Sequence, residues 1–292
     1  MRAYDLHQPE TVAEALDLLA AHGDEDTHVI AGGTSMVLLM NMGLVQPELV
    51  IALRKIPELH GIAATDDGGL RIGALATHRQ LELAPQVRAY APALSETFRQ
   101  VATVRIRNQA TLGGNLVHAD PAQDPPPMLI ALDASVTLRS RAGERTLPAE
   151  ELFVDYLTTQ LQPGELLTDV HLPPLAAGTR ATYVKFLPRS QDDYATVSVA
   201  ATLRLNEDGR CEHARVALGG AANVPLRVKL VEEALVGELL TDDRIAEAAA
   251  LVDGVVDPPS DARGSASYKR RMARVWTERA LRSLRDGSPV VS

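Results

Sequence analysis

The sequence predicts an α+β chain in three parts, 1–55, 56–176 and 177–292, and three observations carry that reading. The opening part alternates helical with extended periodicity, the middle part carries short extended segments bounded by glycine-rich turns, and the last places strands before helices. In the first part, Thr11 to His22 carries Val12, Ala15, Leu16 and Leu19 on one helical face, and Gly23 is the expected stop. A strand at His28-Val29-Ile30, a glycine turn, a helix starting at Met36 and a strand at Leu49 to Leu53 then make a small unit with parallel strands.

Pro57 opens the second part. Ile62-Ala63-Ala64 and Leu70-Arg71-Ile72 flank Asp66-Asp67-Gly68-Gly69 as a hairpin, and one helical stretch is expected from about Pro85 to Val104. Ala134 to Leu138, the turn Arg141-Ala142-Gly143-Glu144 and a strand at Leu166 to Leu172 predict antiparallel pairing. Pro173-Pro174 cannot donate to a sheet, and with Ala176-Ala177-Gly178 they read as a linker. Beyond it, strands at Ala195 to Leu205 and Ala214 to Leu218 flank the turn Asn206-Glu207-Asp208-Gly209. Helices follow near Val228 to Val236, Asp242 to Val252 and Ser265 to Leu284.

With 46% hydrophobic residues in 292, the chain can bury a sizeable core. Its formal charge of -9 argues against general nucleic-acid binding, which needs concentrated Lys and Arg. The basic cluster Lys269-Arg270-Arg271 with Arg274 and Arg279 reads as the solvated face of the last helix. A single cysteine, Cys211, excludes an internal disulfide and any iron–sulfur cluster ligated by this chain alone. The histidines show no zinc spacing, and neither a signal peptide nor a stretch of membrane-spanning length is present, so a cytoplasmic protein without a membrane span is expected.

Two glycine-centred turns carry the functional signal: Ala31-Gly32-Gly33-Thr34-Ser35 and Thr111-Leu112-Gly113-Gly114-Asn115. Paired glycines let a backbone approach a ligand closely, and successive N–H groups in such a turn form an anion-binding concavity. Either alone can be an ordinary tight turn. Two, each with hydroxyl residues beside the glycines, suggest a diphosphate held from two sides and hence a dinucleotide cofactor. Neither the Rossmann Gly-x-Gly spacing nor a P-loop Gly-Lys-Ser/Thr is present.

These turns, together with Ile56-Pro57-Glu58-Leu59, Arg107-Asn108, His118-Ala119-Asp120-Pro121-Ala122-Gln123-Asp124, Pro163-Gly164-Glu165-Leu166-Leu167, Tyr183-Val184-Lys185-Phe186 and Arg263-Gly264-Ser265-Ala266 with Tyr268, occur in a specific order and spacing. Over nearly its whole length the chain resembles the FAD-binding medium subunit of the molybdenum hydroxylases, a family that includes carbon monoxide dehydrogenase and the flavin portion of xanthine dehydrogenase. The resemblance implies a two-lobed FAD-binding fold of the vanillyl-alcohol-oxidase type followed by a C-terminal α+β domain with an antiparallel sheet. It also implies FAD, with Ala31 to Ser35 and Thr111 to Asn115 around the pyrophosphate, and the absence of His and Cys from both glycine turns predicts that it is held noncovalently. Asp124 would meet ribityl or ribose hydroxyls, Leu167 would pack near the adenine, Lys185 would supply positive charge near the flavin, and Tyr194 would cover one flavin face. Taken alone, Leu167 is also an ordinary core residue, Lys185 a solvated strand residue and Tyr194 a half-buried aromatic. One departure stands at Leu187-Pro188-Arg189, where the family often has consecutive arginines.

The implied partners are a large subunit with the molybdenum cofactor and a small subunit with two [2Fe-2S] clusters, in a dimer of heterotrimers. Electrons would pass from those clusters through FAD to an external acceptor such as NAD, a quinone or dioxygen. The competing reading is a stand-alone FAD-dependent oxidoreductase acting directly on a small molecule, with Tyr194 or His118 as acid or base.

Overall fold

The structure, a computed structural model, describes residues 3–22, 26–188 and 192–290; the expected helix stop at Gly23 and the departure at Arg189 lie outside them. The first part is built of β1 (Asp5–His7), α1 (Val12–His22), β2 (Thr27–Ile30), α2 (Met36–Asn41) and β3 (Leu49–Ala52). Its strands lie in the order β1-β3-β2 and are parallel throughout, as the strand–helix–strand alternation predicts. Val12, Ala15, Leu16 and Leu19 of α1 pack on Ile51, Ile56, Leu59 and Leu75.

The second part begins with the hairpin β4 (Ile62–Ala64) and β5 (Leu70–Gly73), then α3 (His78–Leu83), α4 (Pro85–Tyr90), α5 (Pro92–Arg99), α6 (Val104–Arg107), α7 (Leu112–His118) and α8 (Pro125–Ala131). Next come β6 (Ser135–Ser140), β7 (Gly143–Pro148), the small pair β8 (Phe153–Asp155) and β9 (Thr158–Thr159), and β10 (Leu166–Leu172). The antiparallel sheet runs β4-β5-β10-β6-β7, with Phe98, Leu112, Leu116 and Met128 of the helices in its core.

The one helical stretch expected from about Pro85 to Val104 is instead two helices, α4 and α5, with the separate α6 beginning where it was to end. Ala91, immediately before Pro92, is extended at φ -155° and ψ 112°, because the following pyrrolidine ring clashes with a helical residue there. After Gln100 the chain leaves the helical path, and the Thr103 side chain caps α6 by accepting from the Ile106 N–H.

The third part has β11 (Arg180–Phe186), β12 (Val197–Leu205), β13 (Cys211–Gly219) and β14 (Leu226–Arg227), paired antiparallel in that order. Helices α9 (Lys229–Leu235), α10 (Asp242–Ala250) and α11 (Ala266–Asp286) complete it. Alternation along β12 places Val197, Val199, Ala201 and Leu203 in one core with Ala280 and Leu281 of α11. The alternate residues of β12 face the second part, where Ala200 joins the central core and the Thr202 hydroxyl donates to the Ala131 carbonyl at 3.2 Å. Both faces of this strand are buried from Val197 to Leu203, so its alternating small and hydroxyl residues Ser198, Ala200 and Thr202 are covered as well as its larger apolar ones. Among the described residues, no helix is long and apolar enough to cross a membrane.

Candidate functional site: a cavity between the glycine turns

A cavity of about 650 Å³ opens between the turn joining β2 to α2, the helices α6 and α7, and the segment around Lys185 at the end of β11. The first glycine turn forms one wall, directly after β2. Gly33 has φ +78°, which favours glycine, and a Cβ on Gly32 would lie 1.9 Å from the Gln109 carbonyl oxygen, so close contact with the second part requires the bare backbone there. Among the described residues, the N–H groups of Gly32, Gly33, Thr34 and Ser35 have no protein acceptor.

The second turn differs from expectation. Thr111 caps α7, its hydroxyl accepting from the Gly114 N–H at 3.2 Å, so Leu112 to Asn115 are the first turn of a helix. The Leu112 N–H donates to Ala76 O at 2.9 Å and the Gly113 N–H to Ala74 O at 2.8 Å, while the Asn115 N–H donates to Thr111 O. These donors are not bare; those of Leu112 and Gly113 dock the helix on the segment after β5. Gly113 serves that docking, since its Cβ would lie 2.6 Å from Ala74 Cβ. Leu112 turns into the core and does not line the cavity, whereas Thr111, Gly113, Gly114 and Asn115 do. A Cβ on Gly114 would come within 3.5 Å of Ala31 Cβ, so the two turns do face each other.

Asp124 and Lys185 meet at the cavity wall. The Lys185 ammonium donates to Asp124 Oδ2 at 2.9 Å, and the Tyr183 hydroxyl donates to Asp124 Oδ1 at 2.6 Å. The side chains of Asp124 and Lys185 are 4% and 3% exposed, so Lys185 is a buried, ion-paired partner rather than a free charge. Burial pushes the Asp124 carboxyl up against the opposing pull of Lys185 and Tyr183. Leu167 lines the cavity beside Leu166 and Glu165. Tyr194 also lines it, with the Arg263 guanidinium 5.4 Å from its ring centroid and Arg263 bonded to Asp193 at 2.9 Å. Burial pushes the Tyr194 hydroxyl up to about 12.

His78 lines the cavity and was not anticipated from sequence. His78 is fully buried, stacks on Phe98 at 5.6 Å, and has no hydrogen-bond partner on either ring nitrogen among the described residues. Burial, aided by Arg107, lowers its pKa to about 4. The capping-box string Thr77-His78-Arg79-Gln80 was the available signal, since it places His78 at a helix start. Asn115 Oδ1 and Gln123 Oε1 are likewise buried without partners among the described residues. His118 lines the cavity, with its pKa lowered by burial against the opposing effect of Asp120.

Residues 2–175 match the family described as the FAD binding domain in molybdopterin dehydrogenase, and residues 182–284 match the CO dehydrogenase flavoprotein C-terminal domain. The chain is 38% identical over 280 residues to the 6-hydroxypseudooxynicotine dehydrogenase complex subunit alpha of Paenarthrobacter nicotinovorans, covering 96% of this chain and 93% of that protein. It is 34% identical over 278 residues to the carbon monoxide dehydrogenase medium chain of Hydrogenophaga pseudoflava, covering 95% and 96% of the two. Among solved structures, a carbon monoxide dehydrogenase from Hydrogenophaga pseudoflava superposes with a TM-score of 0.94 at 34% identity, covering 99% of each chain. Quinoline 2-oxidoreductase from Pseudomonas putida 86 superposes at 0.91 with 31% identity, covering 98% of each. With its cavity, its facing turns and full-length likeness to these proteins, the chain belongs to the family of FAD-binding medium subunits of molybdenum hydroxylases, the flavoprotein components of oxidoreductase complexes.

Proposed function

We propose that this chain holds FAD noncovalently and relays electrons from the iron–sulfur clusters of a small partner subunit to an external acceptor. A large partner carries the molybdenum cofactor, and the cytoplasmic assembly is a dimer of heterotrimers. The observation that carries the reading is the cavity wall formed by the N–H groups of Gly32 to Ser35, which have no protein acceptor among the described residues, opposite Gly114. Those donors suit a diphosphate, and the orphaned Asn115 and Gln123 oxygens suit a polar ligand. Ala31 to Ser35 and Thr111 to Asn115 would surround the pyrophosphate, with Leu112 supporting from the core. Leu167 would border the adenine, while Asp124, Lys185 and Tyr194 would border the flavin end.

FAD supplies the redox chemistry that no side chain here provides. The protein's part is to orient the cofactor, exclude water with Leu166, Leu167 and Val101, and keep Asp124 and Lys185 mutually neutralised. The three-part division at residues 55 and 176 belongs to the same proposal. Purification with both partners tests it: substrate should reduce the flavin only in the assembled complex. Rapid reduction by substrate in the metal-free isolated chain would favour the stand-alone oxidoreductase.

A further inference from the structure

We propose that Arg107 is a positioning residue for the flavin end of the cofactor, acting through the backbone of residues 100–102; this rests on the FAD reading above. Val101 and Ala102 line the cavity between α5 and α6. Three successive carbonyls of this loop are held by two cations. Lys185 donates to Gln100 O at 2.8 Å, and Arg107 Nη1 donates to Val101 O at 2.9 Å and Ala102 O at 2.8 Å. Glu82 accepts from Arg107 Nε at 2.9 Å and fixes the guanidinium.

Ala102 has φ +38°, a backbone conformation that a residue with a Cβ disfavours, so the Arg107 bonds hold the loop in a shape it would not keep alone. Turning these carbonyls toward cations removes acceptor oxygens that would repel the carbonyl and ring-nitrogen edge of a flavin. The Ala102 N–H has no protein acceptor among the described residues, leaving a donor at the cavity wall.

The test titrates the full-length wild type, R107Q and R107K with FAD and, separately, ADP, and measures the bound flavin's absorption band and midpoint potential. R107Q should weaken FAD binding about tenfold, the scale of losing a charged hydrogen bond, and leave ADP within about twofold. The flavin band and potential should shift, with R107K intermediate because one ammonium cannot span the same carbonyls and Glu82. Should R107Q fail to fold, R107K and E82Q carry the same comparison. Unchanged FAD affinity, band and potential in folded variants would overturn the proposal, as would equal weakening of FAD and ADP. If the wild type bound neither ligand, the FAD reading itself would fall.

Discussion

Asp124 and Lys185 leave water together, so each side chain depends on the other. Lys185→Met leaves the Asp124 carboxylate buried opposite Tyr183, and removing one partner of such a pair costs about 3–5 kcal/mol. Urea denaturation should show that loss, and the double variant Lys185→Met with Asp124→Leu should recover much of it. His78 gives a pH prediction. Its folded pKa of about 4 lies below the ordinary 6.5, so the unfolded chain binds more protons between those values and stability falls as pH drops through that window. The loss from this group is about 3 kcal/mol once pH is below its folded pKa. His78→Phe should flatten the acid limb of stability measured by denaturation from neutral pH into that window; an unchanged slope would contradict it.

Among the secondary-structure elements, the two glycine turns have different jobs. Gly32 permits backbone approach to Gln109 and presents N–H groups, while Gly113 lets α7 dock on Ala74. Gly32→Ala should therefore abolish FAD retention, whereas Gly254→Ala, which places its methyl in open space, should leave retention unchanged. Flavin fluorescence after gel filtration compares them. Thr111→Val removes the α7 cap and should cost about 1 kcal/mol, read from thermal unfolding.

The cavity draws its walls from within residues 29–53, 74–167 and 185–194, so cofactor retention should report on how these distant segments pack together. FAD should leave the chain on acid precipitation, because neither glycine turn contains His or Cys to anchor it covalently. Yellow colour remaining on the pellet would contradict that expectation. Cys211 is buried, and burial pushes its thiol up to about 11, consistent with a packing role.

Local features were legible in the chain before any packing was known: the α1 face through Val12, Ala15, Leu16 and Leu19, the β4–β5 hairpin and the glycine turn directly after β2. Periodicity and turn chemistry act over a few residues, which is why they can be read there. Even the break at Pro92 had a local cause, although the longer helical pattern obscured it. Which turn keeps free donors was settled by tertiary packing, because Ala74 and Ala76 take those of α7 from a different segment. Packing likewise brought Asp124 to Tyr183 and Lys185, and Arg107 back to Val101 and Ala102. Such pairings satisfy buried polar groups across distant parts of the chain, and their partners are set by how the elements pack rather than by any short-range pattern.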